Sequence, residues 1–365
     1  MRELALLFFR LGLTAFGGPA AHIAMMQREV VGRLGWLTEQ EFLDSLSLAN
    51  LIPGPSSTEL AIHIGYRRAG WRGLILAGVC FILPAALMVG ALAWAYVRFG
   101  QLPRVAGVLW AVKPVVIVLV ADAVWKLSRS ALKSRWLIVV ALLSVVLFAL
   151  RVSPLLVLLV GALMAIAPRV RSARAGLVIF GSAAPIGAAK LGTWSIFFAF
   201  VRIGSVLFGS GYVLLAFLRA ELVERHHWLT SQQLLDAVAI GQVTPGPVFT
   251  TATFIGYLLM GPTGAVAATI GIFLPAFVLV AVGALFLPRL RRSKTFASAL
   301  NGINAASLAL MAVVTVQLGR SALTGWVPVV IAVGSAVALL RFRVNSSWVV
   351  LSAVMIGVLA GGHRF

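Results

Sequence analysis

Three long stretches of the chain hold no charged side chain: Gly73 to Val97, Ala237 to Pro288, and Thr295 to Gly319. A helix needs about 20 apolar residues to cross a bilayer, so the second stretch has room for two crossings. Apolar residues fill these stretches evenly, with Gly and Pro among them, and do not alternate with polar ones as barrel strands do. The pattern predicts an all-α polytopic membrane protein with the lipid bilayer as its surroundings. Composition agrees. Of 365 residues, 61% are hydrophobic and 11% charged, where a soluble domain carries about 25% charged residues.

The pattern occurs twice. Arg10-Leu11-Gly12 matches Arg202-Ile203-Gly204, Phe16-Gly17 matches Phe208-Gly209, and Glu29 matches Glu221. Trp36-Leu37-Thr38 returns as Trp228-Leu229-Thr230, Asp44 as Asp236, and Pro53-Gly54-Pro55 as Pro245-Gly246-Pro247. All share an offset of 192, which one deletion then changes to 191 for Ile64-Gly65-Tyr66 and Ile255-Gly256-Tyr257. The chain therefore divides into a first repeat, 1–168, and a second, 193–365, joined by a linker, 169–192. Within the linker, Ala175 to Ala189 reads as a short extra crossing.

The net charge of +20 would point to nucleic acid in a soluble protein. Here the basic residues gather in short connections such as Arg67, Arg68 and Arg72, or Lys126, Arg129, Lys133 and Arg135. That is the positive-inside distribution of cytoplasmic loops, and it excludes nucleic acid as a partner. The Arg67–Arg72 connection corresponds to Met260–Gly264, which has no charge; the next connection has two arginines in the first repeat and four basic residues, Arg289 to Lys294, in the second. Equivalent loops thus face opposite sides, which predicts inverted-topology repeats and an odd number of crossings per unit. The first apolar run begins almost at Met1 without a small-residue cleavage pattern, so it is expected to belong to the mature protein.

The candidate chemistry lies where the helices break. Asn50 and Pro53-Gly54-Pro55 interrupt an apolar segment, and a new half-helix is expected to start at Ser56, Ser57 and Thr58. Its unpaired amides and positive dipole end would face an anion, with hydroxyls added. The second repeat has the same device in Gln242, Pro245-Gly246-Pro247, Thr250 and Thr251. Paired half-helix N-termini near the midplane are the sequence pointer to a transporter's substrate site; a lone proline kink serves packing. A second break, Gly17-Gly18 and Gly209-Ser210, allows close approach of a ligand or of another helix. Arg10 and Arg202 precede these glycines inside apolar runs, where a guanidinium either holds an oxyanion or snorkels to the interface. Lys113 is a further cation candidate.

Ten acidic residues are present, and three are candidates for proton coupling: Glu29, Glu221 and Glu59. Glu59 has no acidic counterpart in the second repeat. Thr38-Glu39-Gln40-Glu41 reads as a capping box, and Asp122 with Lys126 as a helical ion pair. His22, His63 and His226-His227 have no metal-ligand spacing, and Cys80 stands alone. No Ser-His-Asp set and no phosphate-cradling loop occurs, so neither enzyme chemistry, a cofactor nor ATP drive is expected. The residues alone imply a secondary anion carrier or a passive anion channel. The apolar faces allow a homodimer without fixing one.

Phe9-Arg10-Leu11-Gly12, Phe16-Gly17-Gly18-Pro19, Trp36, Asp44, Pro53-Gly54-Pro55 and Gly65-Tyr66 together resemble the chromate ion transporter family. The second half resembles the same domain again, so the chain is similar to the long, two-domain members. The resemblance implies chromate efflux across the inner membrane of a bacterium, chromate resistance, sulfate as a related oxyanion, and inverted halves. Direction is not legible in the residues, and a sulfate importer has the same features. The second half departs from the pattern at Gly209-Ser210-Gly211, where the first has Gly-Gly-Pro.

Overall fold

The two halves fold into the same succession of helices. The computed structural model describes residues 1–16, 18–100, 102–170, 191–207, 211–291, 293–342 and 344–360; the expected extra crossing at Ala175–Ala189 lies outside them, as do Gly17, Gly209 and Ser210. The first half runs α1 (Arg2–Thr14), α2 (Gly18–Gln27) continuing into a π-helical turn (Arg28–Arg33), α3 (Glu39–Ala49), α4 (Ser56–Phe99), α5 (Pro103–Ala131), α6 (Arg135–Ala149) and α7 (Pro154–Val170). The second runs α8 (Thr193–Val206), α9 (Leu214–Leu218) with its own π-helical turn (Arg219–Arg225), α10 (Ser231–Val243), α11 (Thr251–Arg291), α12 (Lys294–Ala322), α13 (Trp326–Leu340) and α14 (Ser346–Ala360). Among the described residues there is no strand. Among the described residues, four segments are long and apolar enough to cross a membrane: α4, α5, the 248–283 segment and α12.

Local sequence sets the helix starts. Thr38 accepts from the Glu41 amide while the Glu41 carboxylate accepts from the Thr38 amide, the expected capping box, and Thr230 with Gln233 repeats it. Ser134 and Ser293 cap α6 and α12, and Pro103 sits in the first turn of α5, where its missing amide is harmless.

The 44 residues of α4 would measure about 66 Å if straight, twice the hydrocarbon layer. The helix instead folds back on itself. Ala69 (φ −148°) and Gly70 (φ +57°, ψ −145°) leave helical geometry, and the left-handed φ at Gly70 requires glycine. Gly65 then lies against the backbone of Gly73, and Ile62 against Gly78, which only antiparallel arms permit. In α11 the turn is at Met260 and Gly261, with Gly256 against Gly264 and the Thr253 and Thr269 hydroxyls 2.7 Å apart.

This turn changes the meaning of the Pro-Gly-Pro break. Arg67, at the end of the 56–68 arm, pairs with Glu41 at the start of α3 at 2.8 Å, and Arg68 lies 5.2 Å over the Trp36 ring. The start of α3 and the end of the arm are therefore on one side of the membrane. Together they form a re-entrant hairpin, and Pro53-Gly54-Pro55 is its tip. The arm is about 20 Å long, so the tip lies deep in the roughly 30 Å hydrocarbon layer.

Contacts between the long arms, 71–99 and 262–291, give the relation of the halves. Gly78 meets the Phe277 ring. Further along α4, Gly90 faces Thr253, which is bonded to Thr269, earlier on α11. The two arms are equivalent in the repeat and run antiparallel, so the two-fold relating them lies in the membrane plane. The repeats are inverted. They also interleave through small residues: Gly357 of α14 sits against the Gly107-Val108 backbone of α5, and Gly161 of α7 against Gly302 of α12.

Candidate functional site

Each hairpin tip is tied to the opposite half. The Gly54 amide donates to the Leu207 carbonyl at 2.6 Å, and the Gly246 amide donates to the Ala15 carbonyl at 2.9 Å. Ala15 and Leu207 are equivalent positions, the first residues past α1 and α8. The two bonds are thus one contact made twice around the two-fold. Both glycines have positive φ, +144° and +96°. A Cβ on Gly246 would strike Ala85 and the Gly12 carbonyl, so the tip accepts no side chain.

Around the second tip the walls leave a small polar cavity of about 20 Å³, room for roughly one water. Gly18, Gln242, Thr244, Gly246, Val248 and Ser346 contribute to it. Three helical segments begin at this wall: α2 at Gly18, the 3₁₀ turn leading into α11 at Val248, and α14 at Ser346. Helix starts carry a positive dipole end, which favours an anion without a charged residue; at α14 the Ser347 amide is capped by Asn345 Oδ1 at 3.1 Å. Of the expected ligands, Gly18, Gln242 and Gly246 line this cavity. The Thr250 and Thr251 hydroxyls instead donate to the Pro247 and Val248 carbonyls, each at 2.8 Å.

The first tip is filled by side chains. Glu59 is fully buried, and a Cβ on Gly54 would run into its carboxylate. Neither Glu59 oxygen has a hydrogen-bond partner, nor does Thr58 Oγ1. Ser57 lies 3.3 Å from His22 Nδ1, and His22 Nε2 lies 3.0 Å from the Ala15 carbonyl. A carbonyl only accepts, so Nε2 carries the hydrogen and Nδ1 accepts from Ser57. Ala15 therefore receives both His22 and Gly246. Ser56 opens the arm, and Asn50 is exposed at the end of α3.

Apart from Glu59, the charged candidates are held in ion pairs, and none of them lines the small cavity. Arg10 pairs with Glu29 at 2.8 Å, and Arg33 pairs with the same carboxylate at 2.6 Å. Arg202 lies 3.5 Å from Glu221, which also meets Arg225 at 3.1 Å and His226 at 3.4 Å. Arg202 and Glu221 line a second, open cavity of about 1020 Å³ together with Arg151, Arg219 and Arg225. Lys113 crosses between the halves to Asp236 at 2.9 Å and donates to Gln232 at 2.9 Å, while the Tyr96 hydroxyl donates to Asp236 at 3.0 Å. Asp122 and Lys126 pair with each other at 2.6 Å, as their spacing predicts.

Sequence reasoning passed over His22 and His63 because neither has metal spacing. A signal was present. Their second-half counterparts, Leu214 and Phe254, are apolar, so the repeat is broken at both histidines. Ser346 gave no signal, since only the fold brings α14 to the cavity.

A family model described as chromate transporter matches residues 2–166 and again 194–358. The chain belongs to the chromate transporter family. Relatives agree over most of its length. The chromate transport protein of Cupriavidus metallidurans is 33% identical, the match covering 99% of this chain and 93% of that protein. The probable chromate transport protein of Synechococcus elongatus is 34% identical over 88% of this chain and 86% of its own length. The chromate transport protein of Pseudomonas aeruginosa is 33% identical over 86% and 80%. No solved structure matches. This chromate transporter family member is a multi-pass membrane protein, and each family match runs from the first helix of a repeat into its seventh.

Proposed function

We propose that the protein is a secondary transporter that exports chromate across the inner membrane, with the anion held at the second hairpin tip. The observation that carries this reading is the uncharged cavity faced by three helix starts, sealed by the Gly246–Ala15 bond. At about 20 Å³ the cavity is too small for a tetrahedral dianion, so binding requires the tips to separate. Rocking of one inverted half against the other provides that opening, with the two tip bonds breaking and re-forming across the two-fold. Of the three carboxylates able to couple protons, Glu29 and Glu221 are held by arginines and Glu59 is not; Glu59 is the coupling group in this reading. Chromate is preferred to sulfate on the names of the relatives, since amides and amide side chains bind either dianion.

The test is flux into proteoliposomes containing the purified protein. Expected are saturable chromate uptake, inhibition by sulfate, and a KM raised at least tenfold by Gln242→Leu. Sulfate uptake without chromate uptake would overturn the substrate. Flux that does not saturate would favour a passive channel.

A further inference from the structure

The 56–68 arm carries four buried polar atoms without a partner: Thr58 Oγ1, both oxygens of Glu59, and His63 Nδ1. Leaving a buried polar group unpaired costs about 1–3 kcal/mol, and more for a charged one. The second half shows that the fold does not need them. At the corresponding places it has threonines bonded to their own backbone and Phe254.

The spacing of these groups is directional. Glu59 and His63 are one turn apart on the same helical face, with Cβ atoms about 5–6 Å from each other. Arg67 follows one turn later, 33% exposed and paired with Glu41 at the membrane surface. One face of the arm therefore leads from that surface through His63 to Glu59 at the tip. His63 as a residue is 7% exposed, while its Nδ1 is sealed inside.

We infer that His63 is the proton relay for Glu59, connecting the buried carboxylate to the membrane surface at Arg67 and Glu41. This rests on the transport reading above. The imidazole takes a proton at one nitrogen and releases one from the other, directly or through one water, to the Glu59 carboxylate, which becomes a neutral acid. The reverse sequence returns the proton, and no other group is transferred. Charging and discharging Glu59 beside Gly54 changes the charge at one tip while a dianion occupies or leaves the other. On the elements packed around the relay, the other titratable or charged side chains include Tyr66, Arg67 and Arg68 on the same arm, Cys80 on the returning arm of α4, His22 on α2, Glu41 and Asp44 on α3, and Arg10 on α1, which is paired with Glu29. Asp236 on α10 is held by Lys113 and by Tyr96 at the far end of α4. Residues 251–283 of α11 contribute no charge.

The experiment uses the full chain and two readouts. The first needs no substrate: the infrared carboxylic-acid band that Glu59→Gln removes is followed after a pH jump in detergent. His63→Ala is expected to slow its appearance at least tenfold, and added imidazole to restore it. The second is chromate uptake with internal pH recorded in proteoliposomes. His63→Ala is expected to lower the maximal proton-coupled rate about tenfold with KM within twofold, again restored by imidazole; Glu59→Gln abolishes proton movement and is not rescued. Unchanged kinetics of the band in His63→Ala would overturn the relay, as would loss without imidazole rescue or uptake driven by a sodium gradient instead of protons. Absence of chromate flux in the wild type, with the band still slowed by His63→Ala, would overturn the substrate reading and keep the relay.

Discussion

Where the first hairpin carries Ser57 bonded to His22, the second carries Phe249, against Phe273, and has Leu214 in place of the histidine. Where the first has Glu59 filling its tip, the second has threonines turned onto their own backbone and a small closed cavity. The backbones are nonetheless the same: capping box, Pro-Gly-Pro tip, half-length arm, glycine turn. What the two halves share is what the main chain requires, namely positive φ at Gly54, Gly246, Gly70 and Gly261 and an amide tied across the two-fold. What differs is side chain, and it differs in one direction, with a buried ionisable group at one tip and a small cavity at the other. In the transport reading proposed above, a duplicated frame is divided between two tasks.

The largest test of that asymmetry lies between the halves. Lys113 pairs with Asp236, whereas the second repeat has Asn304 at the place of the lysine. Asp236→Leu leaves the half-buried Lys113 ammonium with only its Gln232 partner and is expected to destabilise by about 2–3 kcal/mol, with most of the loss recovered in Lys113→Met/Asp236→Leu. Asn304→Met, which removes no charge, is expected below about 1 kcal/mol. Thermal denaturation in detergent reads all four proteins. If the double variant is as unstable as the single, the ion pair is not what joins these helices.

A smaller effect is expected on making the first hairpin resemble the second. His22→Leu leaves the Ser57 hydroxyl without its acceptor and should cost about 1–3 kcal/mol, with His22→Leu/Ser57→Ala losing less than His22→Leu alone. Equal losses would mean that Ser57 draws nothing from the histidine. The smallest effect concerns what the halves have in common. Thr38→Ala and Thr230→Ala each remove a cap worth about 1 kcal/mol and should lower stability by similar amounts; a clear difference would show that the two frames are not equivalent at their bases.

Much of the frame was legible because it is local. Two prolines around a glycine end a helix wherever they occur, so the start of α4 at Ser56 followed from the residues, as did the caps at Thr38 and the Asp122–Lys126 pair. The fold-back at Gly70 was hidden. Arg67, Arg68 and Arg72 look like a loop between crossings, and nothing in their pattern says that the preceding helix has already returned to the side it came from. The pairing of Arg10 with Glu29, of Arg202 with Glu221 and of Lys113 with Asp236 was hidden for another reason. A charge inside an apolar run is read as functional because its partner, far away in sequence, is not visible. The cavity was partly legible, through Gly18, Gln242 and Gly246, and partly not, because Ser346, about 100 residues further along the chain, meets those residues only in the fold.

The Gly54–Leu207 bond also dictates an order of manufacture. The Gly54 amide is made about 150 residues before its acceptor, which at 5–20 residues per second is a wait of roughly 8–30 s. In lipid an amide without a partner costs several kcal/mol, so the first hairpin has no finished resting place while the ribosome is still on α4 to α7. Gly246 has no such delay, because the Ala15 carbonyl is already present when the second hairpin emerges. The earlier hairpin is therefore the one that must be kept provisional, in water, at the interface or in the care of the insertion machinery, until α8 arrives to close it.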